Sequence, residues 1–234
     1  TPQELLASSE WIEILGKTSL AGGTQNYFSV SNNICASFVR VRIFPDGGVA
    51  RLRLHGVVYP KVPSDGSVVD VAAAAMGATV VTANDMYFGN KDHLIFPGRA
   101  KNMGEGWETR RKRGPGHDYI IIRLHDEASI EKIEIDTHHF KGNFPDRCSL
   151  EGLTNETLAT LPLKPESLLA CDFRDRPELQ NWQPLVAEMP LRADHCHEIK
   201  PLESAGKMKF RFLRLRIFPD GGVSRLRVFG RFHK

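Results

Sequence analysis

Long apolar runs are missing from these 234 residues. No stretch approaches the ~20 apolar residues of a membrane-spanning helix. The start, TPQELLASSEW, has neither a basic leader nor an apolar segment behind it, which argues against a secretory signal. The final RFHK is not a peroxisomal address. Cysteine is scarce: Cys35, Cys148, Cys171 and Cys196 form no CxxC and no zinc-ribbon spacing. Free thiols in a reducing, cytoplasmic compartment are the expectation. An excess of one charge is missing as well. The 31 Lys and Arg face 28 Asp and Glu, and the cations alternate with apolar residues rather than forming blocks. Nothing in that balance demands nucleic acid or a membrane surface. The longest charge run, Arg110, Arg111, Lys112 and Arg113, is short and lies beside glycines.

What the chain does have is a sentence said twice. Residues 40–56 read RVRIFPDGGVARLRLHG and residues 214–230 read RLRIFPDGGVSRLRVFG, with thirteen of seventeen positions identical at a constant offset of 174. A repeat that long is a domain, not a solenoid unit. Trp11, Ile14 and Leu20 keep the spacing of Trp182, Leu185 and Leu191, so the likeness extends a little further back. The first copy has too few residues before its motif to match the second. The sequence therefore divides into the C-terminal part of a first repeat (1–58), a linker (59–66) and a complete second repeat (67–234).

Period-2 alternation dominates the motif. Val39, Val41 and Ile43 alternate with arginine, as do Leu52 and Leu54, and the later copy repeats the pattern. With Pro-Asp-Gly-Gly between the runs, each copy reads as a β-hairpin with one apolar face. A short helix is expected over Asp70–Met76, and strands over Ala78–Thr82, Tyr119–Leu124 and Ile130–Ile135. Residues 84–118 read as loops, and 154–181 as a polar excursion. Many strands, turn signals and little helix indicate an all-β sandwich.

Two clusters carry the polar chemistry. Gly104–Asp118 threads Trp107, Glu108, four cations and His117 through glycines, which let a backbone approach a ligand closely. The plainer alternative is a surface loop anchored by a tryptophan. Glu134–Gly152 sets Glu134 and Asp136 on the polar face of a strand, with His138 and His139 at its end. That set suits acid–base work or a divalent metal, and no spacing decides between them. His195-Cys196-His197 is a third candidate, since alternation puts both histidines on one face, but a short HxH is a weak metal signal and plain strand residues are the preferred reading.

GWETRRKRGPGHD, EIDTHHFKGNFPDRCSLEG and the doubled RIFPDGGVxRLR resemble the allantoicase family over nearly the whole chain. The resemblance implies tandem jelly-roll sandwiches of the galactose-binding-like type, the first one incomplete. It also implies a homo-oligomeric hydrolase that converts allantoate to ureidoglycolate and urea in purine (allantoin) breakdown. Family members carry a GWETRR-type segment in both repeats, whereas here it occurs once. On that reading Arg110 and Arg113 hold the substrate carboxylate, with Trp107 and Lys141 beside it. Glu108 and Asp136 orient ureido N–H groups or act as base, and His117, His138 or His139 protonates the leaving nitrogen. A divalent metal stays open and no other cofactor is expected. The competing reading is a non-catalytic jelly-roll module that binds a small ligand or serves a structural role.

Overall fold

Alternating apolar residues become strands only where the chain supplies them with partners. The computed structural model describes residues 2–32, 34–156 and 181–233. Cys171 and most of the expected polar excursion lie outside the described residues. Two compact units are present, Thr1–Leu54 and His55–Lys234.

The first unit holds one short helix, α1 (Pro2–Ala7), and no strand among its described residues. The indole N–H of Trp11 donates to the Leu5 carbonyl at 3.0 Å, and Arg40 lies over the Trp11 ring at 4.3 Å. The hairpin expected at 38–54 is not formed. Val41 is 53% exposed and Leu52 also 53% exposed. Alternation marks a strand's faces but provides no neighbour for its N–H and C=O groups.

The second unit is all β: β1 (Val69–Asp70), β2 (Thr79–Ala83), β3 (Trp107–Glu108), β4 (Asp118–Asp136), β5 (Arg147–Leu153), β6 (Gln183–Pro190), β7 (Cys196–Ile199), β8 (Phe210–Phe218), β9 (Gly222–Val223) and β10 (Arg225–Phe232). The helix expected over Asp70–Met76 shrinks to one 3-10 turn, Ala74–Met76, because Asp70 pairs with Phe229 in the sheet. The two strands expected after residue 118 are one strand of 19 residues. The first half of β4 pairs with β2 and β8, and its second half with β7 and β10. β4 thus belongs to both layers of a jelly-roll sandwich, one running β6-β5-β8-β4-β2 and the other β7-β4-β10-β1.

This topology corrects the hairpin reading of the second copy. β8 and β10 do not pair with each other; β8 lies between β4 and β5, and β10 between β4 and β1. The PDGG turn carries the chain from one layer to the other. Leu213, Leu215 and Ile217 of β8 and Leu226 and Val228 of β10 meet in one buried core with Ile120, Ile122, Leu124, Ile133 and Ile135. The inward parity of β4 changes between Ile130 and Ile133, and the ladder to β10 shifts register there, leaving Glu131 unpaired. Gly230 sits at that bulge, where a Cβ would stand 2.0 Å from the Ser129 carbonyl oxygen.

Candidate active site

Loops that leave the strands at one end of the sandwich are tied together by backbone hydrogen bonds. Thr109 N donates to Gly221 O at 3.1 Å, Gly222 N to Asn143 O at 2.8 Å, and Thr137 N to His195 O at 2.9 Å. Phe140, fully buried, fits against the backbone of Gly106 and Gly222. Some of the polar residues near this rim line two separate pockets.

The first pocket, about 240 Å³, is lined by Gly98, Arg99, Glu134, Asp136, Cys196, Arg225 and Arg227. Asp136, the last residue of β4, is 6% exposed. Its Oδ1 accepts from His138 N at 2.9 Å and from His138 Nδ1 at 2.6 Å. A carboxylate only accepts, so Nδ1 carries the proton and Nε2 is left as the ring's other nitrogen. That nitrogen makes no hydrogen bond among the described residues. Lys132 Nζ donates to Glu134 Oε1 at 2.5 Å. Burial, then the neighbouring Asp136 and Glu134, push the Cys196 thiol up, so it stays protonated.

The second pocket, about 310 Å³, is lined by residues 83–87 and Arg110. Arg110 Nε donates to Asp85 Oδ2 at 2.9 Å, and its guanidinium lies 5.1 Å from the Tyr87 ring centre. Partial burial works against the Asp85 carboxylate, but the Arg110 side-chain and backbone donors outweigh it and hold its pKa below the usual range.

The other expected residues are placed as follows. Trp107 is fully buried, and its indole N–H donates to Asp85 O at 2.8 Å. It shapes the Arg110 pocket from behind and presents no face to a ligand. Glu108 accepts from Asn143 Nδ2 at 2.5 Å. His117 is half-buried, 5.4 Å from the Phe218 ring centre. Burial first, then Arg216 and Arg214, lower its pKa, which makes it neutral at neutral pH. His139 ties loops together: its N–H donates to Asp194 Oδ1 at 2.8 Å and its Nε2 to Ala100 O at 2.9 Å. Lys141 reaches Asp194 at 3.9 Å and is otherwise exposed. Arg113 is exposed and forms no hydrogen bond or ion pair among the described residues. His197 accepts from Arg192 N at 2.9 Å and donates from Nδ1 to Ile135 O at 3.1 Å, as a structural strand residue would.

So the structure joins Asp136 and His138 directly and leaves Arg110, Arg113, Glu108 and His117 apart from them. It also adds residues absent from the expected set, Arg99, Arg225 and Asp85, and brings Glu134 onto the cavity wall beside Asp136. Among the described residues no three His, Cys, Asp or Glu side chains converge in a way that would hold a metal ion. No helix among them is long and apolar enough to cross a membrane.

A two-layer jelly-roll sandwich with a charged cavity at one loop end defines the structural class. Within that class, the chain belongs to the allantoicase family: the family model described as Allantoicase repeat matches residues 1–59 and again 69–233. A probable allantoicase of Acinetobacter baumannii strain SDF is 39% identical over 233 residues, covering 100% of this chain and 66% of that protein. A probable allantoicase of Pseudomonas fluorescens strain SBW25 is 38% identical, over 97% of this chain and 65% of its own length. The chain thus spans about two thirds of the curated relatives it matches. Its fold resembles the crystal structure of allantoicase from Saccharomyces cerevisiae at a TM-score of 0.62 and 36% identity, covering 80% of this chain and 49% of that one. Another allantoicase structure matches at a TM-score of 0.59 and 33% identity, over 76% and 46% of the two chains.

Proposed function

We propose that this chain hydrolyses allantoate to ureidoglycolate and urea, with the chemistry in the cavity that Asp136 lines. The observation that carries this reading is the 2.6 Å contact between His138 Nδ1 and Oδ1 of Asp136, a carboxylate that itself lines a cavity with arginines. Membership of the allantoicase family supplies the substrate.

Allantoate carries a carboxylate and two ureido groups on one carbon. Releasing urea breaks one C–N bond at that carbon, delivers a hydroxyl to it and places a proton on the departing nitrogen. Asp136 fixes the tautomer and orientation of His138, so that Nε2 takes a proton from water and returns one to the leaving nitrogen. The carboxylate of Glu134 accepts ureido N–H groups. Arg110, expected to clamp the carboxylate, is committed instead to Asp85 in the neighbouring pocket. His117 is neutral at neutral pH and set apart from Asp136, which fits it poorly for donating the proton.

A cytoplasmic location and a homo-oligomeric assembly belong to the same proposal. Cys35, Cys148 and Cys196 are free thiols, in keeping with a reducing compartment. The exposed apolar side chains of the first unit favour self-association. Urea release from allantoate, followed with the purified chain, tests the reaction. Release that disappears with Asp136→Asn is the expected result. A folded chain whose melting temperature rises with allantoate but which frees no urea would replace this reading with the binding module.

A further inference from the structure

Arg225 opens β10 in the run where alternation assigns arginine to the outer face. That face is covered. Residues 96–105 lie over it, and Arg225 is 4% exposed. Its Nε donates to Gly98 O at 3.0 Å, and its Nη1 to Glu105 O at 2.6 Å and Ser224 O at 2.7 Å. Nη2 makes no hydrogen bond among the described residues, and its ion-pair contact is Glu105 Oε2 at 3.9 Å. Asp136, the cross-strand partner of Arg225, is bonded through Oδ1 to His138. A buried cation needs hydrogen bonds and an opposing charge. Three of this guanidinium's five N–H donors have theirs, and the two on Nη2 do not. Burial first, then Arg227, lower the pKa of Arg225, as expected for an under-compensated cation.

Arg225 and the exposed Arg99 line the cavity together with Asp136 and Glu134. The wall therefore has a donor pole of guanidinium nitrogens and an acceptor pole of carboxylates. A ligand with a carboxylate at one end and N–H donors at the other matches both poles. We propose that Arg225, through Nη2, binds the carboxylate of a small ureido acid in this cavity, with Arg99 at its edge. The inference rests on the hydrolase reading for the choice of cavity and for the identity of the natural acid.

The probe is N-carbamoylglycine, which has one ureido group and one carboxylate, with its primary amide as the uncharged counterpart. Binding to the 234-residue chain is measured by isothermal titration. The wild type should bind the acid roughly 10–100-fold more tightly than the amide, the range for losing a charge-assisted hydrogen bond. Arg225→Lys keeps the charge but loses the planar fork, and should lose that preference. Arg99→Gln, at an exposed position, should weaken the acid several-fold without touching the fold. Arg51→Lys, the counterpart in the first copy, should change nothing. Equal binding of acid and amide by the wild type overturns the proposal. So does no binding of the acid, or loss of binding in Arg110→Lys but not in Arg225→Lys or Arg99→Gln. Carboxylate-selective binding without urea release from allantoate leaves this site standing and removes the hydrolase reading. Urea release with no acid preference does the reverse.

Discussion

The two copies of the RIFPDGGV motif are nearly the same sequence in different physical states. In the second copy Leu215 and Ile217 are fully buried, flanked through their strand by β4 and β5. Their counterparts Val41 and Ile43 are 53% and 43% exposed, and no strand forms around them among the described residues. The local pattern is equal, so the difference lies in what surrounds it. A strand's stability comes from cross-strand neighbours and burial more than from intrinsic preference. The same holds for chemistry. Arg225 is enclosed beside Asp136 and has a free nitrogen in a cavity, whereas Arg51, at the same place in the motif, is exposed.

The sharpest way to break this comparison is through activity. If the second unit carries the proposed reaction, Asp136→Asn should lower allantoate turnover by ~10²–10⁴, the usual worth of a positioned acid–base group. Asp46→Asn, in the turn of the first copy, should leave turnover unchanged. Equal losses from the two would show that the first copy contributes to the site.

Next in size is a matched pair of truncations, read by urea denaturation. Leu215→Ala removes a fully buried side chain and should cost about 2–5 kcal/mol. Val41→Ala, at the equivalent place, should stay within about 0.5 kcal/mol. A comparable cost at Val41 would mean that the first copy has partners after all.

A matched glycine pair tests close packing, with a smaller effect. A Cβ on Gly222 would stand 1.9 Å from Cε1 of the buried Phe140, while one on Gly48 meets nothing within 4 Å. Gly222→Ala should cost about 1–3 kcal/mol by overpacking. Gly48→Ala should be close to neutral in the same melts. Because Phe140 anchors the loop that carries His138 and His139, Gly222→Ala should also reduce turnover.

The strands of the second unit were largely legible in its alternation. Ile120 and Ile122, Leu213 and Leu215, and Leu226 and Val228 all face inward as their spacing predicts. The pairing was not legible. Two alternating runs joined by PDGG look the same whether they hydrogen-bond to each other or sit in opposite layers, since both arrangements bury the same residues. The candidate site was half legible for a related reason. Alternation assigned Asp136 and Glu134 to a polar face, and the structure gives that face a cavity. It assigned Arg225 to the same kind of face but could not show that residues 96–105 would roof it over. Trp107, in a glycine-rich polar loop, read as a ligand contact, yet its spacing to Asp85 hides a buried hydrogen bond of sequence separation 22. Contacts of that range leave no periodic trace.

The smallest expected effect concerns pH and again separates the copies, because it depends on burial. His117 sits against Phe218 and Tyr119 and near Arg214 and Arg216, and burial followed by those two cations lowers its pKa from the ordinary 6.5. The carboxylates facing it, Asp118 and Glu151, pull the other way without winning. The unfolded chain therefore binds a proton on this histidine at a pH where the folded one does not. Its contribution to stability is complete above the unfolded pKa of about 6.5 and is lost as pH falls through that value toward the folded pKa. Burial depresses His197 in the same direction, so the two add. Denaturation midpoints between pH 7.5 and 5 should fall for the wild type, and less steeply for His117→Gln. An unchanged slope would place the acid sensitivity on His197 or elsewhere and leave the His117 ring as a packing element at the end of β8.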